Sequence, residues 1–333
     1  MLRLALVGTG DAASQHARAL MTTRAEGALS WTAICGRDPG RIAAFRAKLG
    51  VAEDVTSFTS LEDLMDARIC DAVVLATPDG LHVEQVERAC AAGLHVLVEK
   101  PLALTRAAGE RALTAAKAAD VRVAVGYHLR YHAGHALVAS RLVELVGRLQ
   151  TIFIRWAWPD PATAGWRASG HAAHFWSLAA LGTHGFDLAM MFAEAGGVRD
   201  GCVGAVRALL QPESGVDRAA EVSLRLGKGT DAEVLAHVSV SIGHRAVSRV
   251  LVTGDAGEIE GIGTLGARGD GELSLRLPRG APSPVAFRPV DPYAEQLRDF
   301  ALRAPAGFAD EPSALANLEI LDRIALSPER GSS

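Results

Sequence analysis

Residues 2–13 read LRLALVGTGDAA, a short apolar run that ends in the pattern G-x-G-x-x-A. In this pattern Gly8 permits a tight turn, Gly10 lets the backbone approach a pyrophosphate, and Ala13 lets the following helix lie close to the sheet. Free N–H groups and the dipole at the start of that helix favour phosphate anions. Glycines at this spacing also occur in ordinary strand-to-helix turns, but here they join the first strand to the first helix of a β-α-β unit. The sequence therefore predicts a dinucleotide-binding loop whose contact residues are Gly8, Thr9, Gly10, Asp11 and Ala12.

Strand and helix patterns alternate from this loop to residue 126. The apolar segments are 2–7, 31–35, 72–76, 95–98 and 121–125, and the helical segments between them are 11–21, 39–49, 81–92 and 105–119. This spacing predicts a parallel, doubly wound sheet with right-handed crossovers. The fold class is therefore α/β, and residues 1–126 are expected to form a Rossmann domain that binds NAD or NADP.

A different pattern begins after Gly126. Apolar and polar residues alternate in 222–226 and 273–277, as in an antiparallel sheet with one covered face. Helical patterns occur at 133–146, 183–193, 293–302 and 313–326. Residues 127–333 are therefore expected to form an α+β domain with a large, mainly antiparallel, open-faced sheet, and the open face favours a homodimer or homotetramer.

The composition narrows the class of protein. The 333 residues suit two domains, and 49% hydrophobic with 22% charged residues is a globular profile. A net charge of −4 gives no general attraction to nucleic acid or anionic membranes. No apolar run is long enough to span a bilayer, no signal peptide is evident, and the four cysteines have no metal-ligand spacing. We therefore expect a cytoplasmic protein without a metal site.

The end of the second strand selects the cofactor. An acidic residue there would bind the adenosine ribose hydroxyls, but the sequence reads Cys35-Gly36-Arg37-Asp38. Arg37 lies at the expected spacing, and its guanidinium can pair with a 2′-phosphate in a forked geometry, assisted by Arg41 one turn later. Asp38 suits a helix N-cap. We predict contacts from Gly36, Arg37 and Arg41 and a preference for NADP, with NAD possible; the alternative is that Arg37 is a solvated surface residue.

The strand predicted at 95–98 runs into Glu99-Lys100-Pro101, which puts a lysine where the ligands of Rossmann domains bind. Together with several other motifs, this segment resembles the glucose–fructose oxidoreductase / inositol dehydrogenase / rhizopine-catabolism family. Those motifs are Gly8-Thr9-Gly10 with His16, Ala76-Thr77-Pro78-Asp79 with His82, 95–103, 126–131, Gly182-Thr183-His184 with Asp187, and the helical tail with Tyr293, Gln296 and Phe300.

The resemblance implies a function. It implies reversible hydride transfer between NAD(P) and a hydroxyl- or carbonyl-bearing carbon, commonly of a sugar or cyclitol. Lys100 would contact nicotinamide and substrate, and His184 would be the general acid/base. The cofactor contacts that it adds are Ala76, Thr77, Pro78, His82, Glu99 and Lys100. His16 and His82 are expected to be structural or to lie beside the cofactor.

The region before His184 departs from the family pattern. Many dehydrogenases of this family carry an aspartate four residues before the histidine, on the same helix face, where this chain has Ala180. Asp187 is one possible replacement, and His171 or His174 in the preceding loop is another. The loss favours a reductase, in which Lys100 or His184 needs only to donate a proton.

Further polar side chains near these motifs are candidates for binding substrate. They are His128, Arg130, Trp166, Arg167, His171 and Asp187. Aromatic rings beside donors suit a pocket for a polar ring, although the tryptophans of the loop 156–176 equally suit a core. Two other functions stay open: a non-catalytic protein that senses NAD(P), which Ala180 favours, and an NAD-dependent glycosidase, which Arg37 disfavours.

Overall fold

The computed structural model describes residues 1–159, 175–198, 203–213, 216–227, 232–308 and 311–327. The chain folds into two compact units. The first unit comprises Met1–Ala103, Ala107–Gly126 and Tyr293–Glu311. The second comprises Leu104–Arg106, Tyr127–Pro292 and the chain from Pro312 onward. The late segment in the first unit is a feature that the sequence patterns did not indicate.

The first unit contains a six-stranded parallel sheet. Its strands are β1 (Leu2–Val7), β2 (Leu29–Cys35), β3 (Thr56–Phe58), β4 (Ala72–Leu75), β5 (His95–Val98) and β6 (Val123–Val125). The order is β3-β2-β1-β4-β5-β6, and every neighbouring pair is parallel. The all-apolar β4 is wholly buried, as expected of a central strand covered on both faces. The predicted doubly wound Rossmann sheet is confirmed.

Helices connect these strands: α1 (Asp11–Ala25), α2 (Pro39–Leu49), α3 (Leu61–Asp66), α4 (His82–Ala91) and α5 (Arg106–Ala119). Local sequence explains their ends. The Asp38 carboxylate accepts hydrogen bonds from the first N–H groups of α2, and Gly50 closes that helix with a left-handed φ of 68°. The Ser60 hydroxyl caps α3 in the same way.

The second unit contains an eight-stranded sheet. Its strands are β7 (Leu149–Ala157), β8 (Val203–Glu213), β9 (Val216–Leu226), β10 (Val234–Ser241), β11 (Arg249–Gly254), β12 (Glu258–Ile262), β13 (Glu272–Arg276) and β14 (Ser283–Pro284). The order is β14-β13-β12-β11-β7-β10-β9-β8. All pairs are antiparallel except β7 with β10, which confirms the mainly antiparallel sheet.

One face of this sheet is covered by helices and the other is open. Val222 and Leu224 are buried while Ser223 and Arg225 are exposed, as their alternation predicted. The second predicted alternation is wrong at its end, because β13 stops at Arg276 and Leu277 is 53% exposed.

Two helices precede the sheet strand β7, namely α6 (Ala133–Ser140) and α7 (Leu142–Val146), where the sequence predicted one continuous helix. The break falls at Arg141, whose φ of −122° is not helical. A π-helical turn at Leu178–Gly182 leads into α8 (Thr183–Ala195). The chain ends with α9 (Pro292–Arg303) and α10 (Pro312–Ala325). No helix in the described part of the chain has the length and apolarity to cross a membrane.

Candidate active site

The loop after β1 is shaped by two glycines with different surroundings. Gly8 has a φ of +122°, its N–H donates to the Cys35 carbonyl at 2.8 Å, and a Cβ there would lie 2.3 Å from the Ala76 carbonyl oxygen. Gly10, the N-cap of α1, has no heavy atom within 4 Å of an added Cβ. The loop is thus tied to the ends of β2 and β4 on one side and open on the other. This geometry fits a pyrophosphate at the start of α1.

Two cations lie at the end of β2. Arg37 and Arg41 are exposed, and neither side chain has a hydrogen-bond or ion-pair partner within the described residues. Asp38, by contrast, is occupied as the cap of α2. Gly36 brings the chain close to the loop, because an added Cβ would lie 3.1 Å from the Thr9 methyl carbon. A 2′-phosphate in this region would therefore meet guanidinium groups and no free carboxylate from Asp38.

A buried pair holds the end of β5. His16 Nε2 on α1 donates to Glu99 Oε1 at 2.8 Å, and both side chains are almost completely excluded from solvent. The Lys100 N–H donates to the other Glu99 oxygen at 3.3 Å. Tyr293 packs edge-on against the His16 ring, with 5.0 Å between ring centroids. Glu99 therefore links the helix after the phosphate loop to the backbone of Lys100.

His82 supports the same strand ends from another side. Its Nδ1 lies 2.8 Å from the Pro101 carbonyl oxygen and its Nε2 lies 2.9 Å from the Thr77 carbonyl oxygen. The imidazole is buried, so both nitrogens are used within the protein. His82 and His16 thus brace the segments at Thr77 and Lys100, and their role as structural residues or as neighbours of the cofactor stays a prediction.

His184 lies in the first turn of α8, in the second unit. Its side chain is 4% exposed and is surrounded by rings. The ring centroids of His128, Trp156 and Tyr127 lie 4.6, 5.8 and 6.4 Å from that of His184. An imidazole in such surroundings is held in place by aromatic contacts, with little bulk water around it.

The turn that leads to His184 is capped by a carboxylate from the sheet. Asp217 on β9 accepts hydrogen bonds from the Trp176 N–H, the Ser177 hydroxyl and the Leu178 N–H, the last at 2.8 Å. Burial raises the pKa of Asp217, and these donors oppose that rise. On the other side, the Asn317 amide donates to the Thr183 carbonyl at 2.7 Å. Sequence reasoning missed both residues because the contacts join positions far apart in the chain.

The predicted substrate residues Arg130 and Asp187 bind each other. Arg130 Nε donates to both carboxylate oxygens of Asp187, at 2.8 and 3.0 Å, and Asp187 is buried. Arg130 also lies 3.8 Å from the Glu194 carboxylate. This pairing supports a structural role for Asp187. The predictions at Trp166, Arg167, His171 and His174 lie outside the described residues.

No group of three or more His, Cys, Asp or Glu side chains in the described chain is arranged to hold a metal ion. Cys35, Cys70 and Cys90 are buried and unbridged, and burial raises the pKa of each thiol to about 11.

Comparison with known proteins agrees with the loop geometry. The model of the Gfo/Idh/MocA group, described as an oxidoreductase family with an NAD-binding Rossmann fold, matches residues 2–127. Over these residues the chain is similar to the members of this family. It is similar to the 1,5-anhydro-D-fructose reductase of Ensifer adhaerens, with 35% identity over 129 residues, which are 38% of each chain. It is also similar to the rhizopine catabolism protein MocA of Rhizobium meliloti, with 31% identity over 187 residues, 56% of this chain and 55% of the relative.

The similarity in fold extends further than the similarity in sequence. KijD10, a 3-ketoreductase from Actinomadura kijaniata crystallised with NADP and TDP-benzene, superimposes with a TM-score of 0.82 and 22% identity, covering 96% of both chains. The sequence matches to the two curated relatives, in contrast, span 38% and 55% of their lengths. The fold of KijD10 is therefore present over nearly the whole chain.

Proposed function

We propose that this chain is an NADP-dependent oxidoreductase that reduces a carbonyl carbon of a small polar, sugar- or cyclitol-like metabolite to a hydroxyl. The observation that carries the proposal is the link from α1 through His16 and Glu99 to Lys100. Lys100 follows the carboxyl end of β5, and the ligands of such sheets bind at the carboxyl ends of the strands, which supports the proposal. The activities of two similar proteins, a sugar reductase and a 3-ketoreductase, support the same reaction class.

Some of the site residues bind the cofactor and the substrate, and one donates a proton. A bound nicotinamide supplies the hydride. Gly8 and Gly10 leave room for the pyrophosphate, and Arg37 and Arg41 provide the positive charge for a 2′-phosphate. Lys100 orients the carbonyl oxygen and stabilises the negative charge that develops on it.

His184 donates the proton that completes the hydroxyl. No carboxylate occupies position 180, where the chain has a half-buried alanine. The alanine supports the reductive direction, in which the imidazole needs only to donate a proton to the substrate oxygen.

The cofactor preference is testable through Arg37. Dissociation constants for NADP and NAD, measured by calorimetry, are expected to favour NADP in the wild type. Arg37→Ala is expected to weaken NADP binding by about tenfold or more and to leave NAD binding unchanged, because a charged hydrogen bond contributes about 1.5–3 kcal/mol. Arg111→Ala, at an exposed arginine of α5 that pairs with Glu87, is the matched control. Equal affinity of the wild type for NADP and NAD would contradict the proposed preference for NADP.

The chemical roles are testable by NADPH consumption over a panel of keto-sugars and inosose-type ketones. Lys100→Ala and His184→Ala are each expected to lower turnover by about 10²-fold or more, the usual scale for groups that move protons. Retention of NADPH binding by both variants would separate lost chemistry from lost folding. Near-wild-type turnover in both would contradict the proposed roles.

Ala180 also supports a second candidate, a protein that binds NAD(P) as a sensor without catalysis. Such a protein would bind NADPH and consume none of it with any carbonyl in the panel. Substitution Ala180→Asp distinguishes the two: an enzyme changes its pH–rate profile, whereas a sensor stays inactive.

We further propose a homodimer or homotetramer assembled through the open face of the eight-stranded sheet, in the cytoplasm. The exposed Leu235 and the half-buried Phe153 on that face, and the unbridged buried cysteines, support these two proposals. Light scattering after gel filtration measures the assembly, and a monomer at micromolar concentration would contradict it.

A further inference from the structure

An arginine stacked on an exposed tryptophan stands at one end of the sheet in the second unit. The Arg245 guanidinium lies over the Trp158 ring, 4.2 Å from its centroid. Trp158 is 51% exposed, which is unusual for the largest apolar side chain. Stacking of this kind holds a guanidinium in one plane and leaves its edge N–H groups free to bind an acceptor.

The backbone around this pair is fixed by hydrogen bonds. The Trp158 N–H donates to the Ser241 carbonyl at 2.9 Å, and the Ala246 N–H donates to the Ala157 carbonyl at 3.4 Å. The turn between them is closed by the Gly243 N–H, which donates to the Ser241 hydroxyl at 3.1 Å. Arg245 and Trp158 are therefore carried on the adjoining ends of β7 and β10.

The charge of this turn is positive. No acidic side chain in the described residues pairs with Arg245 or with His244 beside it. A second guanidinium, that of Arg218, reaches the Gly243 carbonyl with an N–O distance of 3.4 Å. The chain as a whole has a net charge of −4, so the positive charge that Arg245 brings to this turn is a local feature. Such a site attracts an anion.

The Arg245–Trp158 pair lies on the same side of the sheet as His184. Trp158 follows the last residue of β7, and its N–H to the Ser241 carbonyl continues the pairing of β7 with β10. Trp156, two residues before it, has its ring centroid 5.8 Å from that of His184. Residues two apart on a strand face the same side and are separated by about 6.7 Å. The Arg245–Trp158 pair thus lies on the His184 side of the sheet, on the order of 10 Å from the imidazole. A substrate that spans this interval extends beyond a single sugar ring.

We propose that Arg245 on Trp158 is a subsite for a phosphate group of the substrate. This inference rests on the proposed function, and it assigns the substrate class as a phosphorylated or nucleotide-linked sugar. The planar guanidinium suits two phosphate oxygens at once, which a free sugar hydroxyl does not offer. The indole below it shields one face of the ion pair from water and strengthens it.

Binding to the full-length protein saturated with NADPH tests the subsite. The calorimetric probes are glucose, glucose 1-phosphate, UDP-glucose and glucuronate. Glucose 1-phosphate or UDP-glucose is expected to bind at least tenfold more tightly than glucose. Equal affinity for these two indicates that the phosphate alone is recognised, and tighter binding of UDP-glucose indicates a nucleotide-linked substrate.

Variants connect the preference to the residues. Arg245→Gln is expected to abolish the advantage of the phosphorylated probe while NADPH binds as before, and Arg245→Lys is expected to restore part of it. Trp158→Phe keeps a ring beneath the guanidinium and is expected to retain most of the advantage. The matched control is Arg279→Gln, at an exposed arginine with no partner in the described chain.

Several outcomes overturn the subsite. They are equal affinity for glucose and glucose 1-phosphate, absence of binding by all four probes, affinity for glucuronate equal to that for glucose 1-phosphate, or an undiminished preference in Arg245→Gln. Failure of the protein to bind NADPH would instead overturn the proposed function, so the two failures are distinguishable.

Discussion

Lowering the pH from 7 to 5 is expected to reduce the free energy of unfolding by about 2 kcal/mol through one side chain, His135. This histidine on α6 is buried. Its Nδ1–H donates to the Leu129 carbonyl at 3.0 Å, and its Nε2 has no hydrogen-bond partner in the described chain. Burial, with the neighbouring His132 and His128, lowers the pKa of His135 to about 3.

The sign and size follow from the two pKa values. The unfolded chain binds a proton near pH 6.5, whereas the folded protein does not until about pH 3, so stability is present above pH 6.5 and is lost as the pH falls. The full effect of this difference is about 5 kcal/mol, since one pKa unit corresponds to about 1.4 kcal/mol. At pH 5 the folded protein is still unprotonated at His135. The decrease in the free energy of unfolding therefore depends only on the pKa of this histidine in the unfolded chain, and it amounts to about 2 kcal/mol.

The assay is urea unfolding followed by fluorescence at pH 7 and pH 5, for the wild type and for His135→Asn. Asparagine keeps an N–H that can donate to the Leu129 carbonyl but does not titrate. The variant is therefore expected to lose about 2 kcal/mol less than the wild type between the two pH values, whatever its absolute stability. His244→Asn, in an outer turn, is the control. An equal pH-dependent loss in His135→Asn and the wild type would refute the reasoning.

Three further experiments test the residues that support the site. Gly8→Ala is expected to cost more than about 2 kcal/mol in thermal unfolding, because its Cβ would meet a carbonyl oxygen at a positive φ, whereas Gly10→Ala, with open space around it, is expected to change stability by less than about 1 kcal/mol. Asp217→Ala is expected to cost about 3 kcal/mol, because it leaves buried donors unpaired, and full stability would contradict its capping role. Arg130→Ala is expected to cost about 3–5 kcal/mol by leaving the Asp187 carboxylate buried alone, and much less when Asp187→Asn is added; additive effects in this double-mutant cycle would argue against the pair.

Local patterns predicted the first unit well. The turn at Gly8, the Asp38 cap and the apolar β4 depend on residues within a few positions of one another, and the structure shows each of them. Such features follow from backbone conformation and periodicity alone, which a single sequence records. The family model matches residues 2–127, which supports the family resemblance over this part of the chain.

Sequence patterns predicted the ends of helices and strands less well where those ends depend on contacts with residues far away in the chain. The helical period over 133–146 gave no sign of the break at Arg141. Leu277 continues the alternation of β13 in sequence, yet strand pairing ends one residue earlier and leaves it exposed. Pairing and packing decide these ends, and both are properties of the folded chain.

The sequence by itself determined the dinucleotide loop, the cationic end of β2, the lysine at the end of β5 and the missing carboxylate at position 180. Only the tertiary structure decided that Glu99 binds His16, that Arg130 binds Asp187, and that Asp217 caps the turn before His184. The physical reason is that a buried charge or polar group must find a partner when water is removed, and that partner comes from whichever element the fold brings near. Conformational preferences act between neighbours in the chain, whereas the pairing of buried polar groups acts between neighbours in space.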